Sequence, residues 1–593
     1  MNLRISSTGA LTALAASAFA ATTSAQAFNN QWVEFVKADN QPDLGAASNI
    51  DTETDLAWAD LDKDGDTDLV VVRKEPFTSA GRRTNLLFMN EGGVLTNRTD
   101  EYASASDVLD DEGFNTETND RDVVVGDVDL DGWLDIITAT TLSDGEPKHI
   151  GHPRVYMNLG EDGSGNWLGF EHQDARIPQF IQYSTGQPQN PRFCSVAVGD
   201  VTGDGYPDLY FGDYDSSGAG GEGQPPGLDL NDRLLINDGT GHFSDESQSR
   251  MTSDMLLSAF GNSVEIADFN MDGANDILKD TALNFPQRVS VSYNNLANEG
   301  TFNIFDPFHT FAPYHTSCGD LNNDGRLDLV VSDDGNDRVR YNLDVDPLGR
   351  VIWSDALTFD FVSGSDDGFG SNNLIADLDG DGWNDALIAD VDVDIGGYNR
   401  RLHIYHNPGG EVGEEIRLIE ERQQNSGGWL GAVGLESNDL KGTHDIAVFD
   451  ADGDLDNDLV ISNFRATTLW SNQANICQID EGGSSGGANL KVCGKGLASG
   501  EKSTVLVSQA PAGETVLFLY GTTQSAIPFA GGTLVAVPSL GFSFAATDAA
   551  GEFSIELAGG AGPADIYLQA IVTDASSPFG FQITQAVKLE LEP

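Results

Sequence analysis

The stretch DLDKDGDTDLVV, residues 60–71, sets five aspartates within nine positions and then turns at once into apolar β-formers. Like charges 4 Å apart repel by about 4 kcal/mol per pair at an effective dielectric near 20. A folded chain keeps such a run together only around something positive. The pattern returns as DVDLDGWLD (127–135), DVTGDGYPD (200–208), DFNMDGAND (268–276), DLNNDGRLD (320–328), DLDGDGWND (377–385) and DADGDLDND (450–458). It reads D-x-[DNT]-x-D-G-x-x-D, except that the last copy carries its glycine at the fourth position instead of the sixth. Successive copies start 67, 73, 68, 52, 57 and 73 residues apart, which marks a repeated supersecondary unit.

Each copy has similar neighbours. A short apolar run precedes it (DLAWAD, DVVVGD, SVAVGD), and another follows (LVVV, IIT, LYFG). A second strand then ends in an asparagine-containing turn, as in NLLFMNEGG or RLLINDGTG, and a further short strand closes most units. Four short strands per unit are the grammar of a propeller blade. The expected fold is therefore all-β: a seven-bladed β-propeller over 28–477. The seventh unit lacks an obvious fourth strand, while NNQWVEFVK (29–37) is a strand without a unit. That segment is expected to become the outer strand of the last blade, removing an open edge.

The chain has 593 residues, 94 Asp+Glu against 31 Lys+Arg, and a formal net charge of −63. Such a surface repels nucleic acid and anionic lipid. With 39% apolar and 21% charged residues it reads as folded, not disordered. Arg4, the apolar run LTALAASAFAA (11–21) and Ala25-Gln26-Ala27 form an export signal over 1–27, so the chain is expected to be secreted, periplasmic or on the cell surface. No later window reaches the ~20 apolar residues of a membrane span. Cys477 and Cys493 flank a Gly/Ser-rich linker (478–488), where a bridge would add about 3 kcal/mol in the loop-entropy model. Cys194 and Cys318 lie in apolar strand-like runs and read as buried thiols.

Hard cations such as Ca²⁺ take six to eight oxygens from carboxylates, carbonyls and water. A tight loop presents side chains 1, 3, 5 and 9 to one centre, with glycine at 6 supplying the sharp turn. In the first copy these are Asp60, Asp62, Asp64 and Asp68, with Gly65 at the turn. Cysteine is absent from the loops, which disfavours zinc and copper, and Mg²⁺ prefers fewer protein ligands. Position 12 of the first copy is Val71, in a β-branched run, whereas an EF-hand needs a glutamate there between two helices.

Seven such loops between strands, followed by N-x-G-type turns, resemble the FG-GAP/VCBS repeat family, which includes the propeller heads of integrin α-chains and many secreted bacterial proteins. The resemblance implies a calcium-bearing propeller with up to seven structural ions, used for adhesion, ligand binding or as an enzyme scaffold. Carried over position by position, it implies as further ligands Asp127, Asp129, Asp131 and Asp135; Asp200, Thr202, Asp204 and Asp208; and Asp268, Asn270, Asp272 and Asp276. It also implies Asp320, Asn322, Asp324 and Asp328; Asp377, Asp379, Asp381 and Asp385; and Asp450, Asp452, Asp454 and Asp458.

Other constellations read as structural. HIGH (149–152) sits in a polar loop without a Rossmann-like context, GAGGEG (218–223) lacks a βαβ unit, and GGSSG (482–486) lies in the linker. His403 and His406 fall on opposite faces of one strand. Residues 489–593 alternate apolar and polar without acidic loops, as in STVLVSQA and DIYLQAIV, and are expected to form a small immunoglobulin-like β-sandwich. In a blade the acidic loops and the longest loops lie on opposite faces. SDGEPKHIGHP (143–153), 213–232 and 390–399 are therefore the expected ligand face. The leading reading is a secreted calcium-binding module for a glycan or surface protein, with no catalytic residues assigned. The alternative is a polysaccharide lyase or hydrolase on the same scaffold.

Overall fold

A computed structural model describes residues 33–593, except 46–51, 76–80, 214–229, 257–262, 283–286, 360–367, 380–381, 391–401, 421–434, 436–441, 454–455, 464–465, 473–475, 478, 481–487, 495–496, 498–501, 509, 530–531, 537–539, 548–550, 552, 559–563 and 592–593. The export signal, GAGGEG, GGSSG and most of the loops 213–232 and 390–399 lie outside the described residues. The described residues form two compact units, one within Phe35–Gly453 and Asn457–Ser471 and the other within Asn472–Pro593.

The fold is all-β, and its described α-helices are single four-residue turns. In the first unit of sequence, Glu53–Ala59, Asp68–Lys74, Leu86–Asn90 and Leu95–Asn97 form one antiparallel sheet in chain order. The acidic loop joins the first strand to the second. The same order recurs in the sheets that begin with Asp120–Gly126, Phe193–Gly199 and Val264–Ala267. The second of these four sheets gains a parallel fifth strand, Ala105–Ser106, beside Phe170–His172. The sheets led by Pro313–Gly319 and Gly368–Ala376 are joined where Asp334 and Gly335 pair with Phe369 and Gly368. The last sheet runs Phe35–Lys37, Ala466–Asn472, Asp458–Asn463, Thr443–Phe449. The N-terminal strand thus lies where the missing outer strand was expected. Ala38 N–H donates to Leu469 O at 3.1 Å, and Gln41 exchanges side-chain hydrogen bonds with both backbone groups of Leu469.

The abrupt LVVV run after the first loop follows from packing on both faces. Side chains alternate along a strand. Val70 and Val72 join a core with Val123, Ile136 and Tyr156 of the second sheet, whereas Leu69 and Val71 join one with Ala447, Phe449, Val460 and Leu469 of the last. Equivalent cores link the second sheet to the third, the third to the fourth, the fourth to the fifth and the fifth to the sixth. Sheets stacked face to face, including the last against the first, fit a β-propeller. Close stacking also explains the glycine before the third loop. A Cβ on Gly199 would stand 2.6 Å from Ile266 Cγ2.

In the other unit, Ile476–Cys477, Asn489–Gly494, Lys502–Ser508 and Phe553–Ala558 form one sheet. Ile479–Asp480, Phe581–Leu591, Ala564–Thr573, Thr515–Gly521 and Gly541–Ala546 form another. Leu490, Val492 and Val507 of the first share a core with Phe518, Leu568 and Leu589 of the second. Strand pairing in this unit begins at Ile476, within the range expected to be propeller, and resumes at Ile479 inside the segment expected to be linker. Cys477 and Cys493 are direct cross-strand partners.

Candidate metal centre

The acidic loops are held by a repeated set of hydrogen bonds. The backbone N–H of the sixth-position glycine donates to the first aspartate in six loops: Gly65 to Asp60, Gly132 to Asp127, Gly205 to Asp200, Gly273 to Asp268, Gly325 to Asp320 and Gly382 to Asp377, at 2.7–3.2 Å. The fifth-position carboxylate accepts the N–H two residues on, as Asp64 does from Asp66 and Asp131 from Trp133, both at 2.9 Å. Asp204, Asp272 and Asp324 do the same.

Two positions of the turn are left-handed. Position 6 is glycine in those six loops, with φ of 82–102°. Position 4 also has positive φ, at Lys63, Leu130, Gly203, Met271, Asn323 and Gly453. That explains the odd seventh copy: its glycine serves the other left-handed position.

The ninth-position aspartate is the buried end of each site. Asp68 Oδ2 accepts Leu61 N–H at 2.9 Å and its Oδ1 accepts Asn90 N–H at 2.8 Å. Asp135, Asp208, Asp328 and Asp385 repeat this pair of bonds. The asparagine that donates then reaches sideways. Asn158 Nδ2 donates to Leu61 O, Asn237 to Val128 O, Asn294 to Val201 O, Asn342 to Phe269 O and Asn407 to Leu321 O, each within the preceding acidic loop. Asn90 of the first repeat donates to Ala451 O in the seventh.

Burial is the main cause that pushes the carboxyls of Asp68, Asp135, Asp208 and Asp328 up to about 7 and that of Asp276 to about 8, with neighbouring aspartates adding to it. A bound cation removes that penalty, because it favours the ionised form.

Carboxylate oxygens of Asp60, Asp62 and Asp68 lie within 4.8 Å of one another, as do those of Asp127, Asp129 and Asp135, of Asp377, Asp379 and Asp385, and of Asp450, Asp452 and Asp458. The third, fourth and fifth loops carry Thr202, Asn270 and Asn322 at the third position instead of a carboxylate. Thr202 turns its hydroxyl onto Asp200, and Asn270 donates to Asp272. Asp381 and Asp454 lie outside the described residues. Asp60 Oδ1, Asp129 Oδ1 and Asp276 Oδ2 are buried without a hydrogen-bond partner, so the donor set fits a hard cation. In the sixth loop His406 Nε2 stands 3.7 Å from Asp379 Oδ2, a neighbour that strand alternation alone did not reveal.

The other constellations resolve into packing. HIGH forms the turn Lys148–Gly151 followed by buried His152, whose Nε2 accepts Phe180 N–H at 3.2 Å. Ser106, Asp111 and His172 meet, but serine and aspartate both face His172 Nδ1, at 3.2 and 2.6 Å. A nucleophilic triad needs them on opposite ring nitrogens. Arg154 completes this buried cluster by donating to Asp111 at 2.5 Å. Cys194 is buried, with its Sγ 3.6 Å from Gly212 O, and Cys318 is half-buried; burial pushes both thiols upward.

The strand order and stacking place the chain among β-propeller folds. No protein-family model and no curated protein matches it. Among solved structures it is similar to one described as the Dos1 propeller, with a TM-score of 0.37 and 11% identity over 74% of this chain and 96% of that one. It is also similar to a eukaryotic initiation factor, with a TM-score of 0.22 and 10% identity over 86% of this chain and 99% of that one. At such scores the fold rests on the strand pairing described above. Among the described residues no helix is long and apolar enough to cross a membrane.

Proposed function

We propose that the chain is a secreted, calcium-stabilised seven-bladed propeller of FG-GAP/VCBS type with an immunoglobulin-like tail domain, acting as a binding or adhesion module. The observation that carries the reading is the asparagine relay, which couples the ninth-position aspartates of six loops to the preceding loop and returns from the first repeat to the seventh. Six turns that agree in this detail are consistent with a closed ring in which cations rigidify one face.

The opposite face would then meet the ligand. Its described loop, 143–153, is held by its neighbours. Asn190 Nδ2 donates to Ser143 O and Glu146 O, and Arg192 pairs with Asp144 at 2.6 Å. A pre-ordered loop on a stiff ring suits recognition of a glycan or surface protein.

A glycan-array screen of the full chain with calcium and with EGTA tests this reading. Calcium-dependent binding that disappears when 143–153 is exchanged for a Gly/Ser loop is expected. Shortened polysaccharide products in a parallel digestion would overturn it in favour of an enzyme.

A further inference from the structure

Residues 515–547 contain no Asp, Glu, Lys, Arg or His, in a chain that is 21% charged overall. The run covers the tail strands Thr515–Gly521 and Gly541–Ala546 and, between them, the hairpin of Gln524–Phe529 and Gly532–Ala536. Gly541–Ala546 is the outermost strand of its sheet and pairs only with Thr515–Gly521 among the described residues. Phe542 and Phe544 are 64% and 62% exposed, and their rings meet edge to face with centroids 5.8 Å apart.

The backbone of this strand is open as well. Thr547 N–H donates to Glu514 O at 2.9 Å, so by the alternation of an antiparallel ladder Ala545, Ser543 and Gly541 also face the inner strand. The N–H and C=O groups of Phe542, Phe544 and Ala546 then point outward, and among the described residues none of them has a hydrogen-bond partner. The other edges of the tail unit are blunted. Ile476–Cys477 and Ile479–Asp480 are two residues long, and Phe553–Ala558 carries Glu556. The hairpin carries Pro528 and a register shift between Gln524 and Ile527. Short strands, charges, prolines and bulges keep sheet edges from pairing with other chains. Gly541–Ala546 has none of these: it is six residues long, uncharged and in unbroken register.

Only an added strand engages both the rings and the outward backbone groups. Charge points to a second copy of this chain as its source. Two chains of net charge −63 repel wherever their acidic surfaces meet, so contact between copies is confined to an uncharged surface such as this edge. The strand is also self-complementary. Phe542-Ser543-Phe544 reads the same in both directions, as a two-fold antiparallel pairing needs. We infer that two copies join through Gly541–Ala546, paired antiparallel about a two-fold axis at Ser543. Phe542 of each copy then lies opposite Phe544 of the other. The outward groups exchange their N–H···O bonds there, and the rings form aromatic cross-strand pairs on one face.

Sedimentation of the full chain over a range of concentrations in physiological salt tests the pairing. A mass twice that of the chain is expected for the wild type, and the single-chain mass for the variant carrying Phe542→Lys and Phe544→Lys. Hydrogen exchange of the wild type gives an independent readout. The amides of Phe542 and Phe544 are expected to slow as the dimer forms and to exchange freely on dilution. A wild type that stays single at every concentration overturns the inference, as does a dimer that survives both lysines. Slow exchange of these amides in a single chain would show that another segment of the same chain covers the edge, and overturns it too.

Discussion

Asn90 Nδ2 donates to Ala451 O at 3.0 Å, a bond between residues 361 positions apart. Asn90 is buried, and its own N–H is held by Asp68. Asn90→Ala strands the Ala451 carbonyl and is expected to cost about 1–3 kcal/mol. Urea denaturation of the full chain checks this. An unchanged midpoint would show that the relay adds nothing at this junction.

Bound calcium should raise stability by mass action, by about 2.7 kcal/mol per site at 100 times the dissociation constant. EGTA is therefore expected to lower the melting temperature. Asp62→Ala and Asp452→Ala should each release one ion, since Asp60, Asp62 and Asp68 converge in the first loop and Asp450, Asp452 and Asp458 in the seventh. Native mass spectrometry counts the ions. No loss from Asp452→Ala would exclude the seventh loop.

Met271 sits at φ 59° and is 60% exposed, so it bears a left-handed backbone without packing in return. Relieving that geometry is worth about 1 kcal/mol. Met271→Gly should therefore raise the unfolding midpoint slightly without changing ion content. A lower midpoint would mean that the chain entropy of glycine outweighs the strain.

Burial, reinforced by the Lys148 charge, lowers His152 from its ordinary 6.5 to about 3. A base depressed in the fold contributes its stability above pH 6.5 and loses it as pH falls toward the folded value. His152→Gln should therefore show a flatter decline in urea midpoint than wild type between pH 6.5 and 4. Parallel slopes would contradict the assignment.

Cys477 and Cys493 occupy paired positions on antiparallel strands. Intact mass measured without reductant should fall about 2 Da below the reduced value, as expected for a disulfide bridge. A match to the fully reduced mass would rule the bridge out.

Much of this was legible in the one-dimensional pattern. Aspartates at 1, 3 and 9 and β-branched residues after them announce both the loop and the strand, because ligand spacing and side-chain alternation are local. Position 4 was not legible. Lys63, Leu130 and Met271 are poor signals for positive φ, and only the glycines at 203, 380 and 453, with Asn323, hint at it in the sequence. The asparagine in each turn stood out, but its bond to the preceding repeat is a tertiary fact that spacing does not encode. His406 escaped for the same reason: a strand pattern assigns its face and says nothing of Asp379 nearby. In the tail, Gly541–Ala546 was missed although its alternating exposure is regular, because Phe542 and Phe544 are the exposed residues.

The strand Ala466–Asn472 lies between Asp458–Asn463 on one side and Phe35–Lys37 on the other. Where the polypeptide leaves the ring, it is therefore gripped along both flanks, one of them by residues more than 400 positions away in sequence. A strand paired along both flanks presents no open edge to another chain, so the last sheet is closed at the point where the polypeptide departs.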